Sequence, residues 1–231
     1  MQKRWASIPA ETRFPLSPPP KPVACRVQYN FRKQGTMALL DSIKHTFMPE
    51  KITNLTELFV EQLQDLYSAE TQLIDALPKM EAAAFAKPLK AGFKSHLAQT
   101  KVHAKRLEQI LKKLKAETGG KTCRAMQGLI KEGSEMIHEN ALPEVKDAGL
   151  IAAAQRVEHY EIAGYGTVRT FAQLMGQREI ATTLGQTLKE EADTDKKLTA
   201  AAKKINVKAL IPTKAEADAT MPKAKAKPKR K

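Results

Sequence analysis

Leu150-Ile151-Ala152-Ala153-Ala154-Gln155-Arg156-Val157-Glu158-His159-Tyr160-Glu161-Ile162-Ala163 is the stretch on which the fold turns. It holds no Gly or Pro and is rich in strong helix formers. Continued to Tyr165, it sets Ile151, Ala154, Glu158, Ile162 and Tyr165 at steps of three and four, which is one face of an α-helix. That face is apolar except at Glu158, and Glu161 follows Glu158 by three. A carboxylate in the middle of a core stripe is costly unless something neutralises it.

Pro143 opens this helix and Gly176 closes it, with Leu150, Val157, Val168, Phe171 and Leu174 along its length. Another helix follows at once, carrying Ile180, Leu184, Leu188, Leu198 and Ala201 inward, with Glu191 and Asp195 between Leu188 and Leu198. Far upstream, Asn54-Leu55-Thr56-Glu57 reads as a helix start in which the Asn oxygen takes a free amide and Glu57 reaches back. The helix it begins runs through Phe59, Leu63, Leu66, Leu73, Leu77 and Met80, with Glu70 on the same face; Pro78 is expected to bend or end it. A second long helix starts at Pro88, passes through Leu89, Phe93, Leu97, Leu107, Ile110 and Leu114, and is expected to stop at Gly119-Gly120. A shorter amphipathic piece, Cys123 to about His138, joins the two pairs, and no alternating strand pattern occurs. The fold class is therefore all-α: an antiparallel four-helix bundle with one additional short helix, over residues 51–207.

The inward charges are evenly spaced. Glu70 and His103 are 33 residues apart, as are Glu158 and Glu191, and the second pair lies 88 residues after the first. Two hairpins of matching geometry, each aiming polar groups inward at one level, are how a bundle assembles a dinuclear metal site. A single such Glu is more simply a partly solvated flank of its stripe; four at matching offsets are not. His103, lying between Phe93, Leu97 and Leu107, is either a satisfied core histidine or a ligand. His96, seven residues earlier and so near the same face, and His159, turned away from Glu158, are weaker candidates. Tyr67, three residues before Glu70, is within reach of a carboxylate, although packing is its plainer role. Carboxylates with imidazole suit iron or manganese best, and zinc less well.

The two ends of the chain differ from the middle. Residues 1–36 carry seven Lys or Arg against Glu11, and residues 208–231 carry eight against Glu216 and Asp218, so each end is +6 and only +2 of the chain's +14 belongs to the rest. Residues 1–50 are Pro-rich and aperiodic, and read either as a disordered basic extension or, since Met37 and Met48 precede the first helix, as sequence upstream of the true start. Residues 208–231, with Lys, Ala and Pro in near alternation, read as a disordered tail. Cys25 and Cys123 form neither a disulfide framework nor a metal motif, which suits a reducing compartment. No run approaches the roughly 18 to 20 apolar residues of a membrane span, so a cytoplasmic protein without a membrane partner is expected.

The segments Leu66-Tyr67-Ser68-Ala69-Glu70, His96-Leu97-Ala98-Gln99-Thr100, Leu150 to Ala163 and Glu190-Glu191-Ala192-Asp193-Thr194-Asp195 resemble the bacterial YciE/YciF-type ferritin-like family. The resemblance covers about residues 52–205. It implies a ferritin-like bundle, a homodimer, a link to stress responses, and ferroxidase chemistry inferred from the fold. One departure is Gln99, where relatives often carry Glu; another is the lack of Glu-x-x-His spacing in the second and fourth long helices. A neutral amide ligates iron poorly.

Two functions of different class follow. In the first, Glu70, His103, Glu158, Glu161, Glu191 and Asp195 hold a di-iron (or Mn, or mixed Fe/Mn) centre that meets oxygen or peroxide, giving ferroxidase or peroxide-scavenging activity. In the second, the chain is a non-catalytic dimeric helical scaffold whose basic tail contacts nucleic acid weakly through phosphates, in a salt-sensitive way.

Overall fold

A computed structural model describes residues 51–210; the N-terminal extension and the tail read above as disordered lie outside the described residues, apart from Lys208–Leu210. Five helices follow in order: α1 (Leu55–Ala83), α2 (Lys87–Lys113), α3 (Arg124–His138), α4 (Pro143–Leu174) and α5 (Arg178–Leu210). Turns of three residues join α1 to α2 and α4 to α5, so each pair is an antiparallel hairpin, and within each hairpin the packing is most extensive. The short α3 lies against α1 and α4. This is the all-α ferritin-like bundle with one extra short helix that the apolar stripes require.

Local chemistry sets the helix ends. Asn54 Oδ1 accepts the Glu57 amide at 3.0 Å, and Glu57 reaches back one residue beyond the cap, accepting from the Thr53 amide at 2.7 Å. Pro78 does not end α1, which continues to Ala83. It sits on the exposed side, where water can serve the carbonyl that its missing N–H leaves free. The α2 helix stops at Lys113, before the glycines at which the sequence suggests a stop, because Lys115 adopts a left-handed φ of 57° and the Ala116 amide donates back to Leu111 O at 2.9 Å. At the end of α4, Gly176 (φ 72°) makes the same kind of closure, with the Gln177 amide on Ala172 O at 2.8 Å. The boundary read at residue 208 falls inside α5, which runs to Leu210.

One tie has no counterpart in helical periodicity. Asp147, buried on α4, accepts the amides of Phe85 and Ala86 at 2.7 Å each, through Oδ1 and Oδ2. It thereby pins the α1–α2 turn to the other hairpin; a buried amide left without an acceptor costs about 1–3 kcal/mol.

The apolar interior falls into two clusters. One gathers Phe59, Leu63, Leu66, Leu107, Leu111, Tyr165, Val168 and Leu184. The other gathers Leu73, Leu77, Phe93, Met126, Leu150, Ile151, Val157 and Leu198, closed on one side by α3. Along every long helix the chain passes from one cluster to the other through a charged or imidazole residue: Glu70 on α1, His96 and His103 on α2, Glu158 and Glu161 on α4, Glu191 on α5. The polar layer between the clusters is the candidate site.

Candidate metal centre

Six side chains form this layer, and none is more than 4 % exposed: Glu70, His96, His103, Glu158, Glu161 and Glu191. They fall into two groups, His96 with Glu158, Glu161 and Glu191, and His103 with Glu70 and Glu191; within each group one ligand atom per residue lies within 4.8 Å of the others. Glu191 belongs to both because its two oxygens diverge. Its Oε1 is 2.7 Å from His103 Nδ1, and its Oε2 is 4.0 Å from His96 Nε2. Glu158 Oε1 lies 3.3 Å from His96 Nε2, and Glu70 Oε1 lies 3.4 Å from His103 Nδ1.

Among the described residues, ten buried side-chain oxygen and nitrogen atoms lack an aligned hydrogen-bond partner, nine of them on these six residues: one from Glu70, both from His96, one from His103, one from Glu158, and both from Glu161 and Glu191. Buried polar atoms are almost always satisfied. Here the orphans share one layer and point at one another, as lone pairs converging on cations would. Burial, reinforced by the charges of neighbouring carboxylates, pushes Glu158 and Glu161 well above the usual carboxylate range, and burial lifts Glu70 to about 7. His103 is also raised, which in its case favours the charged form. Burial opposes its charge, but Glu191 and Glu70 outweigh that and raise it to about 10, so that without metal it is the cation of the layer. His96 is lowered by burial, which suits a neutral ligand. Four carboxylates and two imidazoles fit two divalent ions in number, charge and donor chemistry.

Outer contacts orient part of this set. His103 Nε2 faces Glu190 Oε2 at 2.9 Å, and Arg106 holds Glu190 with contacts of 2.5 and 3.2 Å. Arg106, with help from His103 and Gln186 and against partial burial, holds the Glu190 carboxyl down to about 2, so it stays ionised. A histidine whose far nitrogen meets a carboxylate is fixed in orientation and made a stronger ligand. Tyr165, not Tyr67, donates to Glu70 Oε1, at 2.5 Å; Tyr67 is half-buried against the Phe59 cluster.

Of the residues read as ligands from the sequence, Glu70, His103, Glu158, Glu161 and Glu191 are brought together. Asp195 is in neither group: its Oδ1 accepts from Gln155 Nε2 at 2.8 Å and lies 3.4 Å from the exposed His159. The sixth donor is His96. Its signal in the sequence is the seven-residue step to His103, two helical turns along one face. The Glu-x-x-His pattern is absent from this layer because both imidazoles come from α2 and the Glu pair at spacing three from α4. No helix among the described residues is long and apolar enough to cross a membrane.

Residues 54–211 match the family described as Domain of unknown function (DUF892). Protein YciF of Escherichia coli (strain K12) is 44 % identical over 149 residues, which are 63 % of this chain and 88 % of that protein. The crystal structure of the E. coli stress protein YciF superposes with a TM-score of 0.66 at 42 % identity, over 68 % of this chain and 99 % of that one. YcfI of Rhodopseudomonas palustris, described as a candidate structural protein, gives 0.63 at 41 % identity, over 66 % and 98 %. By this match and these relatives, the chain belongs to the YciF-type family of ferritin-like proteins.

Proposed function

We propose that this chain is a di-iron protein, with manganese or a mixed Fe/Mn pair as the chemical alternatives, whose activity is ferroxidase or peroxide-scavenging and which serves in a stress response, as the description of E. coli YciF suggests. The observation that carries the reading is Glu191, a fully buried carboxylate whose two oxygens face two different histidine-containing groups. Such a carboxylate would serve as a donor to both ions of a pair held in the layer. When bound, such a pair supplies one-electron steps toward oxygen or peroxide. The protein's own part is to hold the donors at one level, keep Glu190 ionised behind His103, and exclude bulk water through the two apolar clusters.

Metal analysis of the full-length chain after anaerobic Fe(II) loading tests this. About two irons per chain are expected in the wild type, with a large loss in Glu158→Ala at unchanged helicity, and Fe(II) oxidation followed by absorbance should fall with it. Equal iron in both proteins sinks the reading.

A second reading has support in the charge of +6 on residues 208–231 and in the structural description of the R. palustris relative. Here the bundle is a homodimeric scaffold and the tail binds duplex phosphates. A gel-shift assay at two salt concentrations, with the tail lysines intact or changed to Gln, decides it; binding indifferent to the tail refutes it.

A further inference from the structure

Beside the His96 group the bundle does not close. A cavity of about 200 Å³ opens there, bounded by all five helices. Its walls are apolar, with Leu77, Phe93, Val157 and Leu198 prominent, and buried His96 and Glu158 lie among its lining residues. Gly92 and Ser95 of α2 and Lys197 of α5, all exposed, mark where it meets solvent. Protein interiors pack to crystal density, so a void this size in a bundle stabilised by its core is a cost that calls for an occupant. An apolar cavity of about 150 Å³ takes up a benzene-sized molecule, which sets the scale here at roughly eight carbons.

The polar groups choose the ligand's orientation. His96 has no hydrogen bond from either ring nitrogen, and Glu158 and Glu161 stand with it, so an anionic head would meet carboxylates at that end. At the rim, Lys197 has no ion pair among the described residues, whereas its neighbour Lys196 is paired with Asp193 at 3.3 Å. We propose that the cavity binds a medium-chain alkyl carboxylate, its tail inside against the His96 group and its acid head at Lys197. That the tail ends against a metal pair rests on the proposed function; the binding itself does not.

Calorimetric titration of the metal-free, full-length chain with octanoate, butanoate and 1-octanol tests this. Octanoate should bind saturably, with butanoate roughly 100-fold weaker for the loss of four methylenes. The alcohol should be about threefold weaker than the acid, as one exposed ion pair predicts, and Lys197→Glu should remove that preference without weakening 1-octanol. Ala154→Leu, which fills the cavity, should weaken octanoate roughly tenfold; Ala201→Leu, at a half-buried part of the wall, replaces it should the first variant misfold. The proposal falls if octanoate does not saturate, if affinity ignores chain length, or if neither filling variant weakens binding. Equal affinity for acid and alcohol overturns the head at Lys197. A chain that binds octanoate but takes up no iron keeps this inference and loses the proposed function; the reverse result separates them the other way.

Discussion

The two ends of the buried layer are built differently. His103 is sealed: it is fully buried, its far nitrogen meets Glu190, Arg106 holds Glu190, and its ring stands edge-on to Tyr165 with centroids 6.4 Å apart. His96, equally a ligand by position, has no hydrogen bond and faces the apolar cavity. One imidazole is oriented by an ionised carboxylate and the other only by packing, so the same residue type on the same helix would offer a metal two ligands of unequal strength. The comparison teaches that a layer with one donor inventory can have a closed end and an open end, and a metal pair held there would be expected to bind more tightly at the closed one.

The largest effect should come from removing what the ends share. Glu191→Ala should weaken metal binding at both positions by at least about 100-fold, since it deletes a ligand from each. Competition against a chromophoric chelator measures this; one position left at wild-type affinity would show that Glu191 serves a single ion. Next come the single histidines. His103→Ala should abolish the tighter position, whereas His96→Ala should abolish the weaker one and leave the tighter at its wild-type affinity. Two steps of equal affinity in the wild-type titration would dissolve the comparison at its root.

How much of this the sequence carried depends on which link one asks about. The fold was legible because Leu63, Leu66, Leu73 and Leu77 on α1, and their counterparts on the other helices, recur at three and four, and that period has one structural meaning. Glu70, His103, Glu158 and Glu191 were legible for the same reason, as polar interruptions of apolar stripes at equal spacing. Asp195 shows where that logic stops. It follows Glu191 by four and so shares its stripe, but by then the stripe has reached the seam with α4, where Gln155 takes the carboxylate. His96 carries the same periodic signal in its seven-residue step to His103, but with no partner at a matching offset in the second hairpin it reads as the weaker candidate. Glu190, Arg106 and Asp147 could not be found by period at all, and Tyr165, which the period does place on the inner face, could not be matched by it to Glu70, since these partners are distant in the chain and only packing brings them together. The end of α2 at Lys113 was likewise hidden, because Lys115 takes a left-handed conformation that sequence reading reserves for Gly or Asn.

Smaller effects probe the outer contacts that distinguish the ends. Arg106→Leu leaves every ligand in place but removes the guanidinium that holds both oxygens of Glu190 behind His103. It should weaken the His103 position by about tenfold and leave the His96 position unchanged, the signature of a positioning residue and not of a general loss of stability. The smallest change runs the opposite way. Gln99 stands beside His96 and lines the same cavity, yet gives the ring no aligned hydrogen bond. Gln99→Glu would put behind His96 the kind of carboxylate that Glu190 puts behind His103. It should strengthen the weaker position by about threefold, less than the roughly 10- to 100-fold that a well-aligned outer partner commands, and narrow the gap between the two steps of the titration. A gap that stays the same would mean that the cavity, and not the missing carboxylate, sets the weakness of the His96 end, because an open apolar wall leaves the ring free to turn whatever stands behind it.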